Sequence, residues 1–330
     1  MSERRWHPVL GEWVITATHR QDRTFLPPPG YCPLCPTREG GIPTEVPEAD
    51  YDIVVFDNKF PSMAFNAPEP SVQASELCAV KPSLGACEVV VYSSKHDSTM
   101  ADMPTEQLIK LIHVWKDRYA ELGAREEIAY VFIFENKGEA IGVTMHHPHG
   151  QIYAFPFIPP RIQRQLDMEE AHYQKHERCL HCDIITSELR AMERLVAENE
   201  RFVAFVPFYA RFPYEVHVYA KKHLSSLSEV DESTCVDLAQ MLHVVLQKYD
   251  NLWNISMPYI MVMQQEPTDG RTHRGSHFRI EFSPPLRTKE KLKYLAGCES
   301  GAGTFVNDTL PEEKAAELRS ALPHSEAAHG

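Results

Sequence analysis

The chain lacks any long apolar run. Its longest unbroken stretch is the seven residues Ile128–Phe134, against the ~20 that a helix needs to cross a bilayer. A membrane-spanning helix is therefore excluded. The opening residues, Met-Ser-Glu-Arg-Arg-Trp-His-Pro, lack the apolar core of a secretory signal, so the expected compartment is the cytoplasm, where thiols stay reduced. Positive charge is also scarce, with 33 Lys+Arg against 46 Asp+Glu and a formal net charge of −13. That balance argues against a nucleic-acid or anionic-membrane binder, because attraction to polyphosphate rests on many Lys and Arg contacts. Small phosphorylated ligands need only a few placed cations and stay open.

With disulfides not expected, the eight cysteines need another account. Four form two Cys-x-x-Cys pairs, Cys32/Cys35 and Cys179/Cys182, which in a cytosolic chain read as metal or redox sites. Cys78, Cys87, Cys235 and Cys298 are scattered and read mostly as small buried hydrophobes.

What is present is a repeat. Glu88-Val-Val-Val-Tyr-Ser-Ser-Lys-His96 and Glu215-Val-His-Val-Tyr-Ala-Lys-Lys-His223 agree at six of nine positions. Each follows a Cys-x-x-Cys, by 61 residues from Cys35 to His96 and by 41 from Cys182 to His223. Each copy reads as an alternating strand ending at Lys-His. A helix comes next, marked by Leu108, Leu111, Ile112, Trp115, Tyr119 and Leu122 with Gly123 as its stop, and in the second copy by Leu238, Met241, Leu242, Val245 and Tyr249. A further strand-like run follows each, Ile128–Phe134 and Tyr259–Met263, then a polar turn and histidines.

At 330 residues and roughly 100–200 per domain, two domains are expected, 1–165 and 166–330, parted after the Pro-rich Pro156–Pro160. The fold class expected is α+β, two similar halves, each a mainly antiparallel sheet with flanking helices. The small, polar tail from Pro323 is expected to fray.

Cys32, Cys35, His96 and His147 form a candidate Cys2His2 set for Zn²⁺. Four protein ligands leave no open position, which makes such a site structural. The bland reading is a reduced cysteine pair beside core histidines, and the repeated Cys-x-x-Cys with Lys-His tilts the balance toward metal. Cys179, Cys182, His223 and His277 offer a second set, with His181 and His273 as competing ligands.

The sharpest motif is His147-Pro-His-Gly-Gln151. On a strand His147 and His149 share a face, so one can hold metal while the other does chemistry. An imidazole fixed by a hydrogen bond at Nδ1 presents a nucleophilic Nε2, and phosphorus is the natural electrophile. Gly150 lets a phosphate approach the backbone, and Gln151 can hold a phosphoryl oxygen. The string Glu135-Asn-Lys-Gly138 with Gly142-Val-Thr144 reads as a polar segment able to wrap a phosphate or as an ordinary turn. Arg20 and Arg23 read as a phosphate pair or as solvated charges, and Lys289, Lys291 and Lys293 mostly as an exposed helix face.

Taken together, Arg5-Trp-His-Pro-Val-Leu-Gly-Glu-Trp-Val-Ile, Cys32-Pro-Leu-Cys35, Phe56-Asp-Asn-Lys-Phe60, Phe134-Glu-Asn-Lys-Gly-Glu-Ala-Ile-Gly142, His147-Pro-His-Gly-Gln151, Phe212-Pro-Tyr-Glu215, Tyr249-Asp-Asn-Leu252 and Lys293-Tyr-Leu-Ala-Gly297 with Glu299 resemble the galactose-1-phosphate uridylyltransferase family of the histidine-triad (HIT) superfamily. The resemblance runs nearly end to end and implies two HIT-like halves. It implies a ping-pong transfer from UDP-glucose to galactose 1-phosphate through a uridylyl-histidine at His149, with the first His of the motif holding the ring through its carbonyl. It implies a structural zinc on Cys32, Cys35, His96 and His147. It places Arg20, Arg23, Asn58, Asn136, Gly142, Thr144 and Gln151 at nucleotide and phosphate contacts, and Lys293 and Glu299 at the sugar phosphate. The family is typically a homodimer whose active sites are completed across the interface.

Departures are equally specific. Some members carry an iron-type site of one Glu and three His, whose aligned positions here are Gln165, Gln264, Arg279 and Glu281, so that site is not expected. Cys179, Cys182, His223 and His277, with Gly301-Ala-Gly-Thr-Phe-Val-Asn307, are similar to a branch that includes plant ADP-glucose phosphorylase. Cys298 stands where a sugar-binding Tyr is common. The alternatives are a nucleoside-diphosphosugar phosphorylase or adenylyltransferase, and a zinc-stabilised nucleotide-binding module without turnover.

Overall fold

The computed structural model describes residues 2–22, 28 and 30–321, so Arg23 and the tail from Pro323 lie outside the described residues. In chain order the first half contains β1 (Ser2–His7), β2 (Glu12–Ala17), β3 (Val54–Asp57), β4 (Val80–Pro82), β5 (Ala86–Val91), α1 (Thr105–Gly123), β6 (Tyr130–Lys137) and β7 (His149–Phe155). The remainder contains α2 (Pro160–His176), α3 (Leu180–Ala191), β8 (Leu195–Glu198), β9 (Phe202–Phe205), β10 (Val216–Ala220), α4 (Glu232–Trp253), β11 (Tyr259–Gln264), β12 (Arg279–Ser283), β13 (Leu286–Thr288), β14 (Lys291–Leu292) and α5 (Pro311–Ser320).

The α+β reading holds, and the halves go further than expected by joining edge to edge. One nine-stranded antiparallel sheet runs in the order β3-β5-β7-β6-β11-β12-β10-β9-β8, with β6 against β11 at its centre. The order is close to palindromic, with β7 and β12, then β5 and β10, in matching places. A three-stranded sheet β2-β1-β4 and the hairpin β13-β14 lie apart from it.

α1 and α4 pack on one another and on the same side of this sheet, because the periodic residues read from the sequence are their buried stripes. Trp115, Leu108 and Leu111 of α1 and Leu238, Leu242 and Val245 of α4 enter one continuous core, each such side chain contributing roughly 1.5–3 kcal/mol on burial. α4 is stopped at both ends by its own residues. Asp231 accepts a hydrogen bond from the Thr234 amide at 2.7 Å, and Asn254 closes the C-terminus at φ +53°, a left-handed position that Asn tolerates.

Two local expectations are corrected. Glu135–Lys137 are the end of β6 itself rather than a flexible turn, because the strand continues to pair with β11 as far as Lys137. The Lys289–Lys293 run forms no helix: Lys291 belongs to a short hairpin strand and Lys293 is buried, turned inward onto Glu299.

Candidate active site and metal centres

The first metal centre is built from a turn and two strand ends. Cys32 and Cys35 are brought together by a turn closed by Cys35 N–H on the Cys32 carbonyl at 3.3 Å. His96 lies beyond β5, and His147 stands just before β7. Cys32 Sγ is 3.7 Å from His147 Nδ1, and Cys35 Sγ lies 3.4 Å from His96 Nδ1 and 3.5 Å from His147 Nδ1. Zn–S near 2.3 Å and Zn–N near 2.0–2.1 Å at tetrahedral angles give an S···N edge of about 3.6 Å, so the four donors are spaced as the corners of one coordination sphere. Burial and the neighbouring Cys32 hold the Cys35 thiol up at about 11, which is the charge problem that a divalent cation between two thiolates removes.

His147 is fixed as a ligand by what its other nitrogen does. Nε2 donates to the Ser93 carbonyl at 2.7 Å and toward the Tyr51 hydroxyl at 3.0 Å, while Tyr51 donates onward to the Leu34 carbonyl at 2.6 Å. Such partners set the tautomer of a ligating histidine. Burial depresses its basicity to about 4, keeping the ring neutral at pH 7 with Nδ1 available to metal.

The second set repeats this arrangement. Cys179 Sγ to His277 Nδ1 is 3.7 Å, Cys182 Sγ to His223 Nδ1 is 3.7 Å, and Cys182 Sγ to His277 Nδ1 is 3.6 Å. His277 Nε2 bonds the Ala220 carbonyl at 2.8 Å, as His147 does Ser93. In each set all four donor atoms fall within 4.8 Å of one another, so the donors fit two divalent ions. His181 instead bonds Glu169, and His273 bonds Asp269.

His149 opens β7. Its Nδ1 lies 2.7 Å from the His147 carbonyl. A carbonyl can only accept, so Nδ1 carries the proton and the lone pair is on Nε2. The ring stands on the wall shared by two cavities. One is largely apolar, lined by Leu34, Phe56 and Val89 with Arg20, Asn58 and Gln151. The other presents mainly polar residue types, among them Asn136, Lys137, Ser98 and Thr99.

Around the ring, Gln151 Oε1 receives Asn58 Nδ2 at 3.4 Å, which turns the amide NH₂ of Gln151 toward the ligand space. Asn58 is itself held by the Phe60 amide at 2.9 Å. Arg20 is tethered through Nη1 to the Phe60 carbonyl at 3.0 Å. Thr144 lines the apolar cavity.

Other expected residues lie elsewhere. Gly142 lines neither cavity; at φ +83° it closes a short 3₁₀ turn ahead of Val143. Lys293 and Glu299 pair with each other at 3.2 Å and are absent from both linings. Gly150 serves packing rather than phosphate approach: a Cβ there would fall on the Tyr92 hydroxyl and within 3.0 Å of the Phe134 carbonyl. Tyr51 and Tyr92 are not legible as site residues: Tyr51 lies outside every motif, and Tyr92, though matched by Tyr219 in the repeat, sits in an apolar strand run that reads as core.

In the second half the residue two beyond the inner histidine is Arg279, and it is buried. Its Nη1 reaches the His277 carbonyl at 3.4 Å, its Nε pairs with Glu281 at 2.9 Å, and its Nη2 donates to Gln165 at 3.1 Å. Burial opposes charge on Glu281, but His217, Arg279 and Arg161 together hold it down at about 2. Gln165, Gln264, Arg279 and Glu281 thus offer a guanidinium and two amides with one carboxylate, which does not fit an iron site of Glu and His ligands.

Comparisons place this geometry among known proteins. Residues 1–159 match the model of the galactose-1-phosphate uridyl transferase N-terminal domain, and residues 165–329 that of its C-terminal domain. A galactose-1-phosphate uridylyltransferase of Thermotoga maritima is 41% identical over 320 residues, covering 97% of this chain and 98% of its own. A solved uridylyltransferase superposes with a TM-score of 0.86 at 37% identity, covering 97% and 98% of the two chains. An ADP-glucose phosphorylase of Arabidopsis thaliana, solved with ADP-glucose, superposes with a TM-score of 0.75 at 25% identity, covering 98% and 99%.

Proposed function

Because the chain belongs to the galactose-1-phosphate uridylyltransferase family, we propose that it transfers a uridylyl group from UDP-glucose to galactose 1-phosphate in two displacements at His149. The observation that carries this reading is the His149 Nδ1 bond to the His147 carbonyl on the wall between two cavities. The one lined by Leu34, Phe56 and Val89 suits a nucleoside, and the one lined by Asn136, Lys137, Ser98 and Thr99 suits the phosphate and hexose beyond it.

His149 Nε2 attacks the α-phosphorus, the bond from that phosphorus to the bridging oxygen breaks, and glucose 1-phosphate leaves. The His147 carbonyl accepts a hydrogen bond from Nδ1–H throughout and stabilises the charge that forms on the ring. Gln151 and Arg20 hold phosphoryl oxygens as their charge shifts, with Asn58, Asn136 and Thr144 placing the nucleotide. The galactose 1-phosphate oxygen then attacks phosphorus, the bond from phosphorus to His149 Nε2 breaks, and UDP-galactose leaves with His149 back in its starting state. Cys32, Cys35, His96 and His147 would hold one zinc ion and Cys179, Cys182, His223 and His277 a second. Bound zinc supplies cross-linking of distant segments rather than an activated water.

A homodimer in which Lys293 and Glu299 meet the sugar phosphate of the neighbouring subunit is supported by the family likeness, and it requires this buried pair, closed at 3.2 Å, to open toward that ligand. The halves 1–165 and 166–330 then act as separate roles in one cytoplasmic enzyme.

The test is product analysis with paired substrates. UDP-glucose with galactose 1-phosphate should give glucose 1-phosphate and UDP-galactose. Turnover of ADP-glucose with inorganic phosphate, and none of the UDP-glucose pair, would move the assignment to a phosphorylase. No product from either pair would leave a nucleotide-binding module.

A further inference from the structure

The nucleophile's strand has a buried support on the face away from the ligand. Tyr92 touches the segment on both sides of His149: its backbone N–H donates to the Pro148 carbonyl at 3.0 Å, and its hydroxyl fills the space where residue 150 has no Cβ. The Tyr92 ring is wholly buried and meets Trp115 of α1 edge-on at 5.9 Å.

Behind it stands Glu135, 4% exposed. One carboxyl oxygen accepts the Tyr259 hydroxyl at 3.2 Å. The Tyr92 hydroxyl faces the same carboxyl group, and both that hydroxyl and Glu135 Oε2 are buried with no hydrogen bond of normal geometry. Tyr259 belongs to β11 of the second half, and its ring carries the Lys137 ammonium 5.3 Å from its centroid. Lys137 in turn meets Asp250 of α4 at 3.6 Å. A chain of buried polar groups thus runs from the second half, through Glu135, to the underside of the residue beside the nucleophile.

We propose that Glu135 is a positioning residue for His149, holding Tyr92 against Gly150 so that the ring stays aligned for attack, and that Tyr259 is the second half's contribution to that alignment. Glu135 stands at the edge of the second cavity beside His149, but at 4% exposed it acts through Tyr92 rather than on substrate. Burial carries its carboxyl up to about 7, in keeping with a neutral acid that accepts from Tyr259 and turns its own proton toward the Tyr92 oxygen. An amide of the same shape can replace such a group, while an apolar side chain leaves Tyr92 unheld. Small misplacements of a reacting group cost up to about a hundredfold in rate.

The inference rests on the function proposed above, and the experiment separates the two. Uridylylation of the zinc-loaded full chain by UDP-glucose is followed in a single turnover by quench and intact mass, alongside steady-state kcat and KM, zinc content and circular dichroism. Wild-type protein that never acquires the adduct overturns the function itself. Given a labelled wild type, Glu135→Leu and Tyr92→Phe are expected to label about ten- to a hundredfold more slowly, with KM for UDP-glucose, zinc content and fold little changed, and Glu135→Gln to stay near wild type. Wild-type rates in Tyr92→Phe, a loss confined to KM, or Glu135→Gln as slow as Glu135→Leu would overturn the proposal. Should Glu135→Leu fail to fold, Tyr92→Phe alone decides.

Discussion

The two halves of this molecule build the same frame and fill it differently. Both clamp a Cys-x-x-Cys to two histidines with nearly equal spacings, and both bond the inner histidine's Nε2 to a carbonyl of the neighbouring strand segment. Two residues farther on, the first half presents His149 to open cavities, while the second buries Arg279 among Glu281, Gln165 and Glu169. One substitution class at one strand position therefore separates a reactive face from a sealed one. An imidazole can carry a phosphoryl group; a guanidinium cannot, but it can neutralise buried carboxylates. The lesson is that the two halves share a donor frame fit for a metal ion and differ in the residue two positions beyond its inner histidine.

That contrast can be broken in order of expected effect. Cys35→Ser and Cys182→Ser should each remove one of two zinc equivalents, at a cost on the order of 10 kcal/mol of coupled binding and folding. Metal analysis and thermal melting would show both losses, and only the first should abolish uridylylation of whatever protein remains folded. Equal loss of labelling in both would erase the division of roles. Next, His149→Gly should lower turnover by about 10⁴ or more, near 5.5 kcal/mol in barrier, with binding of UDP-glucose retained by calorimetry.

Arg279→Met should destabilise the fold by about 3–5 kcal/mol in urea titration, the usual result of stranding buried carboxylates. The uridylylation rate per folded chain should not change, and a rate that collapses with an intact fold would show the sealed half to be part of the chemistry. The smallest effect belongs to Tyr51→Phe, because among the described residues only the first metal centre has a hydroxyl on its inner histidine. Zinc affinity there should weaken by about ten- to a hundredfold, measured by chelator competition, while the second centre is unchanged.

Much of this contrast was legible in the chain. The repeat fixed the strand and helix pairs, because alternation before Lys-His and helical spacing in α1 and α4 are local patterns of burial. The two ligand sets followed from residue types that have few other uses together. What stayed hidden is tertiary. The pairing of β6 with β11 depends on backbone edges that carry no residue signal, and Tyr51, Tyr92 and Tyr259 act through single hydroxyls that composition cannot distinguish from core aromatics. Gly150 was read as room for phosphate, whereas a hydroxyl from the opposite face occupies that room. The lysine run Lys289–Lys293 reads mostly as an exposed helix face and the family resemblance puts Lys293 at a sugar phosphate, whereas the turn after β14 buries it beside Glu299.

The most direct test of the central claim is peptide mapping by mass spectrometry after the zinc-loaded chain is mixed with UDP-glucose and quenched in base. The account predicts one uridylyl group per chain, located on the peptide that contains His149 and discharged by galactose 1-phosphate. An adduct on a second-half peptide, or full turnover with no adduct on His149, would contradict it.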